Sequence, residues 1–388
     1  MALVTNNKMS MKDAIDLVKY ELLAQEANSV KQVPTLAGRP GIGKTESLKA
    51  LAKELGYELI TVQLSAVAPE EFSGIPEFLD APKDFSKKYS VSGVGGAKFT
   101  RWSVPELVAN ANYKAELIKN NGGKGVVVLF DDIHAADPAL ERYMFNLFLD
   151  KVVGQYKLAD NVLICAAMND SDEAGFRGFN AAVLDRLAVY PVEFDFDFWY
   201  KIMGAHLDNV IAAFLRNHKE RAQGQESVDE VQPSPRSWTE LSNFIKFMRN
   251  KGVKVDNNIL RNAGRARVGE KVAAELVKFN ILYEKFDFES KIKLPANKIE
   301  VPTDPVEQIM FANIVRYAKT EEQGKKIVEL ISKNKDNNLF ISEIVNEIAV
   351  LHRSESHKKS PAVKAIVDFI LNSKDKKLDQ IFFDAMGL

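Results

Sequence analysis

Lys44 and Thr45 close the run Gly38-Arg39-Pro40-Gly41-Ile42-Gly43-Lys44-Thr45, whose spacing, G-x-x-x-x-G-K-T, suits the gripping of a polyphosphate. Glycines let successive backbone N–H groups converge on one anion, and a helix starting at the loop adds the positive end of its dipole. Lys44 would reach the β- and γ-phosphates and the Thr45 hydroxyl would ligate Mg2+, with the binding run extending from Gly38 to Glu46. These residue types at this spacing imply a nucleoside triphosphate ligand.

Acids and amides that serve such a ligand follow downstream. Asp131 ends the apolar run Gly125–Phe130, where a carboxylate can hold Mg2+ directly or through water. Asp132 comes next, where a carboxylate would orient or deprotonate an attacking water. Asn169 ends a second apolar run and could bind the γ-phosphate or that water, although an Asn there is by itself a turn residue. Taken singly, Arg186 and Arg236 read as solvated helix ends, and His134 adds nothing that the acids and Asn169 do not already explain.

Positioning these groups requires alternating strands and helices. The spacing predicts a helix over 11–25, a strand over 32–37, a helix from the loop to Gly56 and a strand over 58–64. Residues 66–102, rich in Gly and Pro, read as a long irregular loop. A helix over 103–119, a strand over 125–132 and a helix from Pro138 to Leu149 come next. A tight element over 152–158, a strand over 162–168, a helix near 180–187 and a strand over 189–194 complete the first part. That alternation predicts a doubly wound α/β core, and the pattern is helical from about 198 onward.

The 388 residues carry 46% apolar side chains, enough for ordinary cores, and a net charge of -1 that gives no global attraction to DNA or anionic membranes. The one cysteine, Cys165, lies in an apolar run, which excludes an internal disulfide and fits a reducing compartment. No apolar stretch approaches a membrane span, so a cytoplasmic protein is expected. The histidines lack metal-ligand spacing.

The ordered set GRPGIGKT, VVVLFDDIH, CAAMND, LDRL and PSPRSW resembles an AAA+ ATPase of the MoxR-like group. The likeness extends to the helix and hairpin of 138–158, the APEEFSGIP segment and RVGEKVAAELVKF, and covers about 30–280. It implies a P-loop NTPase αβα sandwich with a parallel sheet over 1–197, an all-helical lid over 198–285, and a helical C-terminal extension over 286–388. It also implies ATP and Mg2+ as ligands. Gly38 to Glu46 would bind the nucleotide, with Thr45 and Asp131 at the metal. Asp132 would take the catalytic acid's place, Asn169 that of sensor 1, Arg186 that of a finger acting on a neighbouring subunit's ATP, and Arg236 that of sensor 2. A homo-oligomer follows, a hexameric ring or an open helical assembly. Members are generally chaperone-like remodellers of macromolecular clients, often with a von Willebrand factor A-domain partner.

Two departures bear on activity. The family usually has Asp-Glu where this chain has Asp131-Asp132, which withdraws the carboxylate by about 1.5 Å. Displacements of that size cost on the order of 100-fold in rate, so slow turnover and a nucleotide-gated scaffold or filament stand as an alternative. The hairpin within 138–158 is also shorter than in MoxR. A nucleic-acid motor or loader is a further alternative, since Lys83, Lys87, Lys88, Lys98 and Arg101 alternate with Phe85, Tyr89, Phe99 and Trp102 in the long loop.

Overall fold

Strands buried on both faces are predominantly apolar, and three segments fit this pattern. They are β2 (Val33–Ala37), β6 (Gly125–Asp131) and β9 (Val162–Met168). The structure is a computed structural model, in which residues 7–80, 98–169, 179–224, 230–373 and 375–386 are described. It forms two compact units, Met1–Glu193 and Phe194–Leu388.

In the first unit β1 (Met9–Ser10), β3 (Tyr57–Gln63) and β10 (Leu187–Glu193) join those strands in a six-stranded sheet of order β1-β10-β2-β9-β6-β3. Every ladder in it is parallel. Parallel neighbours need crossovers, and helices supply them. These are α1 (Met11–Glu26), α2 (Lys44–Glu54), α3 (Pro69–Ser73), α4 (Glu106–Asn120), α5 (Glu141–Asp150) and α6 (Ala181–Leu184). Phe130 of β6 packs on Phe148 of α5 with ring centroids 5.8 Å apart, inside a core that includes Val126, Val128, Met144 and Ile164. Cys165 is buried in β9, and burial pushes its thiol pKa up, so it is packing rather than chemistry.

Two expectations change. Residues 66–102 are not irregular throughout: α3 precedes an antiparallel ribbon of β4 (Pro76–Asp80) and β5 (Lys98–Trp102), with Phe78 opposite Thr100. Its partners are far apart in sequence, so no local turn signal announces them. Lys83, Phe85, Lys87, Lys88 and Tyr89 lie outside the described residues. The helix expected near 180–187 is only α6, capped by the Asn180 side chain, and β10 begins earlier than predicted, at Leu187. The tight 152–158 element is a hairpin of β7 (Val152–Val153) and β8 (Tyr156–Lys157), turned by Gly154 at φ +61°.

The second unit is helical among its described residues and shares one core, which includes Phe214, Trp238, Phe279, Phe311, Phe340 and Ile366. That core encloses ions. The Arg216 guanidinium donates to Glu347 at 2.7 Å and also to Glu343, Arg316 donates to the other Glu347 oxygen, and the Tyr200 hydroxyl donates to Glu347 at 3.2 Å. The side chains of Arg216, Arg316 and Glu347 are 6%, 3% and 0% exposed, so each charge depends on its partners rather than on water. No helix of the described residues is long and apolar enough to cross a membrane.

Candidate nucleotide site

The loop between β2 and α2 takes the shape its glycines permit. Gly41 and Gly43 have φ of +75° and +99°, a left-handed region costly to residues with a Cβ. Gly38 is needed for a different reason. A Cβ there would lie 2.7 Å from Val192 Cγ2 and 2.8 Å from the Val192 carbonyl oxygen. The Gly38 N–H donates to the Met168 carbonyl at 3.2 Å, which ties the start of the loop to the end of β9. Lys44 opens α2 directly after Gly43, so the helix N-terminus faces the loop.

Groups from the loop, α2, β6 and the end of β9 converge here. Lys44, 7% exposed, donates from Nζ to the Gly38 and Arg39 carbonyls at 2.5 and 3.0 Å, and to Asn169 Oδ1 at 3.2 Å. The Thr45 hydroxyl donates to Asp131 Oδ2 at 2.9 Å, and the Asp132 N–H donates to Asp131 Oδ1 at 3.0 Å. Parallel strands end together, which is why these groups meet. Gln63 is paired with Asp131, and Ala37 with Met168. Asp132 has φ +52°, a left-handed conformation that Asp tolerates better than most residues, and it turns the chain sharply out of β6. Ile42 is buried within the loop, while Pro40 and Glu46 are exposed, Glu46 on the first turn of α2.

Thr45 and Asp131 present hard oxygen donors side by side, the set Mg2+ takes when phosphates and waters complete its shell. Among the described residues no three His, Cys, Asp or Glu side chains group as a metal site on their own. A Mg2+ here would therefore depend on a bound phosphate for further ligands.

Two residues make contacts at the site that the sequence does not reveal: Gln63 is not singled out there, and His134 reads as adding nothing beyond the acids and Asn169. Gln63, at the end of β3, donates from its amide to Asp132 Oδ2 at 3.0 Å. His134 accepts the Asn169 N–H on Nδ1 at 3.3 Å, and burial lowers its pKa against the opposing pull of Asp132. Only the β3–β6 and β6–β9 pairings reveal them.

Arg186 stands elsewhere. It immediately precedes Leu187, which pairs with Val33, whereas the phosphate loop follows Ala37 at the other end of β2. Five strand residues at about 3.3 Å each separate the two ends by roughly 17 Å. The Arg186 guanidinium donates to the carbonyls of Phe145, at 3.1 Å, and Ala182, and lies over the Phe145 ring, 5.5 Å from its centroid. Arg236 belongs to the second unit, exposed on the first turn of the helix Pro235–Asn250, whose N-terminus Ser234 caps.

Among solved structures, the chain is similar to Thermotoga maritima RuvB, described as a Holliday junction branch migration motor. The identity is 11%, 74% of this chain and 80% of that one are covered, and the TM-score is 0.34. A single-residue variant of the same protein gives 13% identity, 74% and 79% coverage, and a TM-score of 0.35. Residues 34–188, from β2 into β10, match the ATPase family associated with various cellular activities, and this part of the chain is therefore an AAA domain.

Proposed function

We propose that the chain is an ATPase that binds Mg-ATP at residues 38–46 and hydrolyses it at the boundary between copies of itself. The observation that carries this reading is the opposite placement of its groups. Lys44, Thr45, Asp131, Asp132 and Asn169 meet at one end of the sheet, and Arg186 lies at the other. Lys44 and the loop amides would hold the β- and γ-phosphates, and Thr45 with Asp131 would hold Mg2+, which supplies charge to the phosphoryl group when bound. Asp132 would orient the attacking water and take its proton. Asn169 would fix the γ-phosphate or that water, and Arg236 would reach the γ-phosphate from the helical unit. Arg186, too far from its own loop, would complete the site of a neighbouring copy, a contribution of about 10³–10⁵ in rate.

Such a head-to-tail contact closes into a ring, as a hexamer does, or continues as an open helix. The MoxR-like motif order supports a remodeller of a macromolecular client, with a von Willebrand factor A-domain protein as the expected partner and residues 286–388 extending the lid. A slow, nucleotide-gated scaffold is the second reading. The hydrogen bond from Gln63 to Asp132 favours it, because it holds an already short acid in place.

Electron microscopy with and without ATP, paired with ATPase rates, tests both. A ring or helix that forms with ATP, and turnover stimulated by an unfolded protein, supports the remodeller. Stimulation by single- or double-stranded DNA would replace it with a nucleic-acid motor. A strictly monomeric chain at every concentration removes the shared-site reading.

A further inference from the structure

Asn169 is the first residue beyond the sheet's support. The β6–β9 ladder ends at the pair Phe130 and Ala166, and the β2–β9 ladder ends at Ala37 and Met168. Past these pairs the Asn169 backbone N–H is held by the imidazole of His134, whose Nδ1 accepts it at 3.3 Å. The Asn169 side chain then places Oδ1 3.2 Å from Lys44 Nζ. His134 is itself firmly placed. It sits in the short turn Ile133–Ala135 that follows Asp132 directly, and Ile133 is fully buried. The ring thus spans from the turn after the acidic pair to the end of the neighbouring strand. A ring nitrogen that accepts an N–H carries no proton of its own, so the tether requires the tautomer protonated on Nε2.

We propose that His134 is a positioning residue for the nucleotide reaction. Its Nδ1 fixes the Asn169 backbone so that the carboxamide stays aimed at Lys44 and at the γ-phosphate beside it. This rests on reading residues 38–46 as an ATP site. His134 touches neither the phosphates nor the water in this role; it acts through Asn169, and it couples the placement of that amide to the turn carrying Asp132.

Two variants of the full chain separate positioning from simple packing. His134→Asn keeps an acceptor oxygen close to where Nδ1 lies, and His134→Leu removes the acceptor at similar bulk. The readouts are hydrogen exchange at the Asn169 amide and the kcat and KM of ATP hydrolysis. In His134→Leu, Asn169 exchange should accelerate at least ~10-fold, and kcat should fall ~10- to 100-fold with KM within ~3-fold, the range expected when a supporting partner is lost. His134→Asn should recover most of both. Equal kcat in the two variants, an unchanged kcat in His134→Leu, or a loss carried by KM alone overturns the proposal. If the unsubstituted chain binds no ATP, it is the site reading that fails, and amide exchange still decides the tether: equal protection in both variants removes it.

Discussion

The carbonyl of Arg186 accepts the N–H of Val33 at 2.9 Å, one strand length away from the loop that holds Lys44. On the proposed reading a guanidinium at that end is out of reach of phosphates held by its own chain, so variants at Arg186 and at Lys44 should complement each other. Arg186→Ala should keep nucleotide affinity and lose about 10³–10⁵ in turnover, and Lys44→Ala should lose nucleotide binding. Mixed together, the two inactive proteins should regain activity wherever an intact Arg186 faces an intact loop. Mixtures as inactive as either parent would return Arg186 to a structural role on Phe145.

On the proposed reading Asp132 is short for a water-activating acid, and Gln63 donates to it. Lengthening it should help: Asp132→Glu should raise kcat, by up to about 100-fold if the missing 1.5 Å is the whole deficit. A fall in kcat measured under saturating ATP would show instead that the Gln63 contact is tuned to an aspartate.

Gly38→Ala tests the loop's backbone. The added methyl meets Val192 at 2.7 and 2.8 Å, one contact being backbone, and Val192 belongs to the packed strand β10. A destabilisation of about 1–3 kcal/mol is expected, together with weaker nucleotide binding. Calorimetric unfolding midpoints of the two proteins that coincide would contradict this.

In the helical unit, burial works against ionising Glu347, but Arg316 and Arg216 outweigh it and hold the carboxyl below its ordinary pKa. Glu347→Ala strands two guanidinium groups and should cost about 3–5 kcal/mol in that unit. Urea unfolding followed through Trp238 should report it, and a variant with an unshifted midpoint would mean that water reaches the arginines.

Acid should weaken both units through histidine. Burial holds the pKa of His134, His352 and His357 below the ordinary 6.5. The unfolded chain therefore takes up these protons first, so stability is intact above pH 6.5 and declines as pH falls through that value toward the folded pKa. The melting temperature should drop between pH 7.5 and 5.5; a flat or rising profile contradicts the assignment.

The parallel core was readable because β2, β6 and β9 are continuous apolar runs, and the phosphate loop because its residues are contiguous. The contacts of Gln63 and His134 were hidden for the opposite reason. Each reaches a partner at the end of a neighbouring strand, and strand order is not written in local periodicity. The ribbon of 76–80 with 98–102 escaped notice because seventeen residues separate its arms and Pro76 heads the first. The distance between Arg186 and the loop likewise became measurable only once β10 was paired with β2.

The Arg216–Glu347 pair also sets a timetable for synthesis. These residues are 131 positions apart, so an arginine made early waits for a carboxylate made late. The AAA domain, complete once β10 has emerged, can fold on the ribosome in the meantime, as leading domains generally do. Until residues 343 and 347 have been made, Arg216 lacks both carboxylates that pair with it in the folded unit, so the native helical core cannot close around it.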